Sequence, residues 1–198
     1  MIDQALDFLR RSLGDWLTRL AHGDLNSQPA PPAVVFLGGD QVKDSVQFTN
    51  NTVTALLVKL EEENTLRPAD PFTRVGTDGI RQRVQPGVRL NLYVLFVAQF
   101  GDYLEALRRL SDIVRFFQQH RVFTSANAPS LGAIEQLTLE LVTLPFSEQN
   151  EIWGALRTSF RPSVLYRVRM VAFEDQSPVA MPATKEVQVE ISRIIPNP

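Results

Sequence analysis

The sequence predicts an α/β chain of the α+β kind, with a single mixed or mainly antiparallel sheet packed against an N-terminal helix, a long central helix and a short helix containing a tryptophan. Three observations predict it. Apolar residues recur at helical spacing over residues 2–20. The run "LNLYVLFVAQF" is apolar almost throughout, stops at Gly101 and turns at once into a second helical repeat. Later segments alternate apolar and polar residues with a period of two. At 198 residues and 44% hydrophobic, the chain is long enough to bury its own core without a staple.

The first helix rests on Ile2, Leu6, Leu9, Leu13, Trp16, Leu17 and Leu20, which share one face; Asp3, Arg10, Arg11 and Arg19 lie off it. "AHGDLNSQPAPP" then breaks the pattern as a connector. A short strand is expected over residues 33–37, ending at Gly38-Gly39. Residues 51–64 fit helix or strand, and their β-branched residues with flanking Asn and Pro favour strand. Residues 65–87, with three prolines and three glycines, read as a long loop.

Residues 88–98 are apolar on both faces beyond Asn91, which calls for the centre of a sheet covered on both sides. Asp102 and Glu105 fit a capping pattern, and Leu104, Leu107, Leu110, Val114 and Phe117, flanked by Ile113 and Phe116, carry the helix to near His120. Residues 134–144 alternate, with Leu137, Leu139 and Leu141 inward and Gln136, Thr138 and Glu140 outward. Ser147 is expected to cap a short helix through Ile152, Trp153 and Leu156. Residues 164–173 are expected to form another strand, with Arg167 and Arg169 on the face of Leu165, Val171 and Phe173. The division expected is a domain over 1–175 and a C-terminal extension over 176–198, in which "KEVQVEISRII" looks like a last strand that completes the sheet or reaches a neighbouring subunit.

Composition removes several kinds of chemistry. There is no cysteine, which excludes disulfides, thiolate catalysis and cysteine-based zinc sites. The two histidines, His22 and His120, lie far apart in the sequence, so a His-rich metal site is excluded as well. A net charge of −2 offers no basic field for nucleic acid. Of the 20 basic residues 17 are Arg and 3 are Lys, a bias that suits protein interfaces but also follows from a GC-rich genome. The N-terminus has Asp3 and Asp7 and no continuous apolar core, so it does not read as a signal peptide. No run reaches membrane-spanning length, and the protein is expected in the cytoplasm when made, with no direct membrane insertion.

Catalytic patterns are equally sparse. No G-x-S-x-G occurs, and the single Gly101 at the strand-to-helix junction is no phosphate cradle, since neither G-x-G-x-x-G nor Gly-Lys-Ser/Thr surrounds it. A histidine at the end of a helix is favoured by the dipole without any catalytic role. Two carboxylate pairs remain, Asp102 with Glu105 and Glu174 with Asp175; the first has a capping explanation and the second sits at a solvent-facing strand end. Glu61, Glu62 and Glu63 read as a solvated strand end, because three adjacent acids on a strand cannot all point at one ion. No catalytic residue, cofactor or metal is expected.

At "LNLYVLFVAQFGDYLEALRRLSDIVRFFQQHRVF" and "IEQLTLELVTLPFSEQNEIWGALRTSFRPSVLYRVRMV" the sequence resembles the tail-terminator or cap proteins of extracellular contractile injection systems, the phage-tail-like particles with an inner tube and an outer sheath. The resemblance is carried in order by Leu92-Tyr93, Gly101, Leu137 to Leu141, Trp153, and Arg161-Pro162-Ser163 through Tyr166, Val168 and Arg169. It covers most of residues 1–173; "VQPGVRLN" departs from the expected Pro-Pro approach, and the tail is not matched. The resemblance implies a non-enzymatic structural protein, expected as a homo-oligomer, a hexameric ring. Such a ring would meet inner-tube and sheath proteins at the end of the particle away from the baseplate and stop polymerisation there, without nucleic acid.

The residues proposed for such an interface are Arg167 and Arg169 on the late strand, Arg74, Arg81 and Arg83 in the loop, and Val187, Val189 and Ile191 in the tail. The competing readings are surface salt bridges of small worth for the arginines and an ordinary edge strand for the tail. Two further classes stay open: a nucleic-acid or phosphate-ligand binding module using the arginines of residues 74–89, and an enzyme built on a carboxylate pair.

Overall fold

The structure, a computed structural model, describes residues 1–23, 33–38, 46–63, 73–75, 81–83, 89–132, 134–172 and 179–180. It forms two compact units, one of Met1–Leu66 with Gly87–Phe173, the other of Arg67–Pro86 with Glu174–Pro198. In chain order the elements are α1 (Ile2–Gly23), β1 (Ala33–Val35), β2 (Thr52–Glu62), β3 (Thr73–Val75), β4 (Arg81–Arg83), β5 (Arg89–Gln99), α2 (Tyr103–Gln119), β6 (Val122–Thr124), β7 (Ile134–Val142), α3 (Phe146–Ala155), β8 (Ser163–Ala172) and β9 (Val179–Ala180).

In the first unit six strands form one sheet in the order β1-β2-β5-β8-β7-β6. β1 runs parallel to β2 and every other pairing is antiparallel, so the sheet is mixed and the α+β class expected from the sequence is the one observed. β5 lies inside the sheet between β2 and β8, as its two apolar faces require. On one face Leu92, Val94 and Phe96 of β5 join Val53 and Ala55 of β2, Tyr166, Val168 and Met170 of β8, and Leu137 and Leu139 of β7. This face is covered by α1, through Ala5, Leu9, Leu13 and Leu17, and by α2, through Ile113, Phe116 and Phe117. Each fully buried side chain of this size adds about 1.5–3 kcal/mol to the folded state. On the opposite face Leu95, Val97 and Leu165 pack with Trp153 of α3, whose ring lies 6.1 Å from that of Phe48. Asp102 caps α2 by accepting a hydrogen bond from the Leu104 amide at 3.1 Å, and the helix closes at His120.

Several details differ from the sequence reading. The buried stripe of α2 is Ala106, Ile113, Phe116 and Phe117, whereas Leu104 and Leu107 are exposed. The aromatic pair at the C-terminal end sets the helix rotation, which turns the leucines of the first turns outward. Glu105 does not complete a capping box but pairs with Arg109 and Arg108 on its own helix. Leu141 is 54% exposed, because β6 stops short of that end of β7. Pro145, not Ser147, is the N-cap of α3, and Phe146 opens the helix. Gly132, before β7, takes φ +60° and ψ −116°, a conformation essentially confined to glycine.

The second unit holds a small sheet in the order β3-β4-β9. Residues expected as loop thus contain a hairpin, with Thr73 opposite Arg83 and Val75 opposite Arg81, and β4 pairs with the start of the C-terminal extension through Gln82–Ala180 and Arg83–Val179. Strands of three residues, two of them arginine in β4, are too short to show a period of two in the sequence.

Candidate functional site

The face of the large sheet that α3 covers is apolar only over part of its length. Past Leu95 and Leu165 the strands place polar side chains on that face, since alternate residues share a side. Register puts Lys59 beside Tyr93, Tyr93 beside Arg167, and Arg167 beside Glu140; in the next row Glu61 meets Asn91, Asn91 meets Arg169, and Arg169 meets Thr138. Four strands therefore carry one continuous polar ladder.

Its bonds run both along β2 and across strands. Lys59 pairs with Glu61 and sits 5.3 Å from the centre of the Tyr93 ring. The Tyr93 hydroxyl donates to Glu61 Oε2 at 2.9 Å, and Asn91 Nδ2 donates to Glu63 Oε2 at 2.9 Å. Lys59 above all, and then Tyr93, hold the Glu61 carboxyl below the usual carboxylate range. At the other end Glu140 takes both arginines: it bonds Arg167 through Oε2 and lies 3.1 Å from Arg169 through Oε1. The Glu140 hydrogen bond is the main cause that raises the Arg167 pKa, so the guanidinium stays charged.

Arg167 and Arg169 thus stand next to each other, as their spacing implied, and both are ion-paired within the sheet. Their side chains remain 31% and 40% exposed, and the Nε of each, together with Oδ1 of Asn91, finds no hydrogen-bond partner among the described residues. Asn91 itself is buried. A preformed row of half-exposed guanidinium donors suits carboxylates and carbonyls of a second protein, and a sheet holds it with little motion. Each pair taken alone adds only about 0.2–1 kcal/mol.

Arg81 and Arg83 occupy alternate positions of β4, and Arg74 stands opposite Gln82. Val187, Val189 and Ile191 lie outside the described residues, as do Glu174 and Asp175. Asp102 is used as a cap and Glu105 in ion pairs along α2. His120 is packed among Trp16, Phe116 and Phe123, its Nδ1 3.0 Å from the Phe116 carbonyl. Among the described residues no group of three or more His, Asp or Glu could hold a metal ion, and no helix is long and apolar enough to cross a membrane.

Sequence reasoning missed Glu140, Glu61, Tyr93 and Asn91. The available signal was parity: Glu140 is one of the outward residues of β7, and Arg167 and Arg169 face the same side of β8 once the two strands are taken as neighbours joined through α3.

Comparison with known proteins adds independent observations. No curated protein sequence matches this chain. Among solved structures it resembles the PVC sheath/tube terminator of an extracellular contractile injection system in its extended state, with a TM-score of 0.51 and 16% identity over 93% of this chain and 64% of that one. A second likeness is to the tube-terminating cap of the anti-feeding prophage, with a TM-score of 0.46 and 15% identity over 71% of this chain and 48% of that one. The chain therefore spans less than two thirds of the length of each of these two solved structures. The family described as the Pvc16 N-terminal domain matches residues 5–185, nearly the whole chain, and this protein belongs to that family.

Proposed function

We propose that this chain is a structural terminator of a contractile injection system, which ends polymerisation of tube and sheath at the end away from the baseplate. The observation that carries the reading is the family match over residues 5–185. The likeness of the fold to a sheath/tube terminator supports it. In this reading the protein is no enzyme. It is made in the cytoplasm, closes as a hexameric ring and becomes part of the particle by binding inner-tube and sheath proteins. Residues 1–175 supply the terminator domain and 176–198 an extension.

The physical requirement is simple. A head-to-tail polymer grows while each subunit offers a new end, and a closed ring that copies the end contact on one face only stops it. The ladder of Arg167, Arg169, Glu140, Tyr93 and Glu61 is the polar contact surface in this account, with Arg74, Arg81 and Arg83 and the tail residues Val187, Val189 and Ile191 as further contacts.

Single-molecule mass of the purified protein, alone and with assembled inner tubes, tests it. A mass of about six subunits of 22.3 kDa, alone or only on tube ends, supports the ring. A monomer that ignores tube and sheath contradicts it.

A further inference from the structure

The large sheet carries helices on both faces, and two of them turn a partly apolar, charged surface away from it. On one face α2 sends Ile113, Phe116 and Phe117 into the core, so its opposite side points outward. Tyr103, Leu104 and Leu107 lie on that outer side, and Leu104 is 55% exposed. Ser111 continues it one turn on, and Arg108 and Arg115, seven residues apart, form its basic flank. Arg108 holds only a 3.5 Å pair with Glu105 of its own helix, and Arg115 makes no ion pair among the described residues. Contiguous exposed apolar side chains rimmed by charge mark a contact surface.

On the other face α3 packs Ile152 and Trp153 inward. Its first residue, Phe146, is 85% exposed, the most exposed large apolar side chain among the described residues. A ring so placed gains free energy only by burial against a second surface. Glu148 and Glu151 are exposed on the same short helix and make no ion pair among the described residues. Asn150 and Gly154 follow Phe146 at intervals of four, and nothing lies within 4 Å of where a Cβ of Gly154 would stand. The outer side of α3 is therefore acidic and open, with one projecting aromatic. The outer side of α2 is basic, with an apolar patch.

We propose that the outer side of α2 receives the outer side of α3 from a second copy of the chain. Phe146 seats on Tyr103, Leu104 and Leu107, and Glu148 and Glu151 face Arg108 and Arg115. Charge selects this occupant: a two-fold contact through either helix alone would set arginine against arginine or glutamate against glutamate, whereas α2 against α3 sets opposite signs together. The two helices lie on opposite sides of one sheet, so they do not meet within a monomer. Each copy then offers α3 to one neighbour and α2 to the next, a heterologous contact that closes as a ring when the rotation between copies permits. The inference deepens the ring reading above and rests on it for closure.

Charge exchange tests the contact in the full-length chain. Arg115→Glu and Glu151→Arg are made singly and together, and Arg108→Glu with Glu148→Lys forms a second exchange pair that covers the register along the helices. The readout is single-molecule mass, as the protein concentration at which half of the chains are in oligomers, taken alone and with inner-tube ends present. All four side chains are exposed, so each monomer keeps its fold. Each single substitution sets like charges across the contact and is expected to raise that concentration about tenfold. The double exchange restores opposite signs and should return it to within about threefold of the unchanged protein. Residues held on opposite sides of a sheet rescue each other in this way only across a boundary between copies.

Rescue by either pair supports the contact. The proposal is overturned if neither double variant associates better than its singles, if the singles associate as the unchanged protein does, or if the unchanged protein stays single with and without tubes. Rescued association in a protein that does not cap tubes would leave the contact standing and remove the terminator reading; capping without rescue would do the reverse.

Discussion

Glu140 faces two guanidiniums, and its removal separates the bland account of Arg167 and Arg169 from the functional one. Glu140→Gln should cost about 0.5–1 kcal/mol in urea unfolding, the worth of half-exposed pairs, while changing tube or sheath binding more strongly if the ladder is a contact surface. At the other end of the ladder, Glu61 has a lowered folded-state pKa, so its stabilising contribution is present above the ordinary carboxylate range and is lost as pH falls through the lowered folded value. Tyr93→Phe removes one of the two hydrogen bonds that lower it, and the Glu61 midpoint followed by NMR should move up toward the ordinary value. Gly132→Ala should destabilise by about 1–3 kcal/mol through backbone strain alone, since nothing lies within 4 Å of the added methyl group. The arginines of the ladder were legible in the sequence because a strand of period two fixes their side. Their partners were not, because a cross-strand pair depends on register, which residues far apart in sequence set together.

Among the elements, α2 shows where periodicity stops being informative. Leucines 104, 107 and 110 share a helical spacing with Val114 and Phe117, yet the helix turns Ile113, Phe116 and Phe117 inward and leaves Leu104 and Leu107 exposed. Phe117→Ala should therefore cost about 3–5 kcal/mol, while Leu107→Ala should stay within about 0.5 kcal/mol, both read by denaturant unfolding. Similar losses at the two positions would contradict the observed rotation. The strands were read more securely, since an apolar run on both faces admits only an interior place in the sheet, which β5 occupies. The β3-β4 hairpin escaped notice because its strands are three residues long and its pairing partner, β9, comes almost a hundred residues later.

For the whole molecule, the family was legible where its apolar pattern is long and ordered, from Leu92 to Arg169, and the match over residues 5–185 agrees with it. What a single chain does not carry is the geometry of the proposed ring, because an interface is a property of two surfaces and the sequence encodes each of them as ordinary surface. A terminator must stop a growing polymer at one end. Electron microscopy of inner tubes polymerised with and without the purified chain, labelled on an added tag, tests this most directly. A terminator should leave label at a single end of each tube and no further growth from that end when fresh tube protein is supplied. Label along the tube walls, or growth that continues past labelled ends, would contradict it.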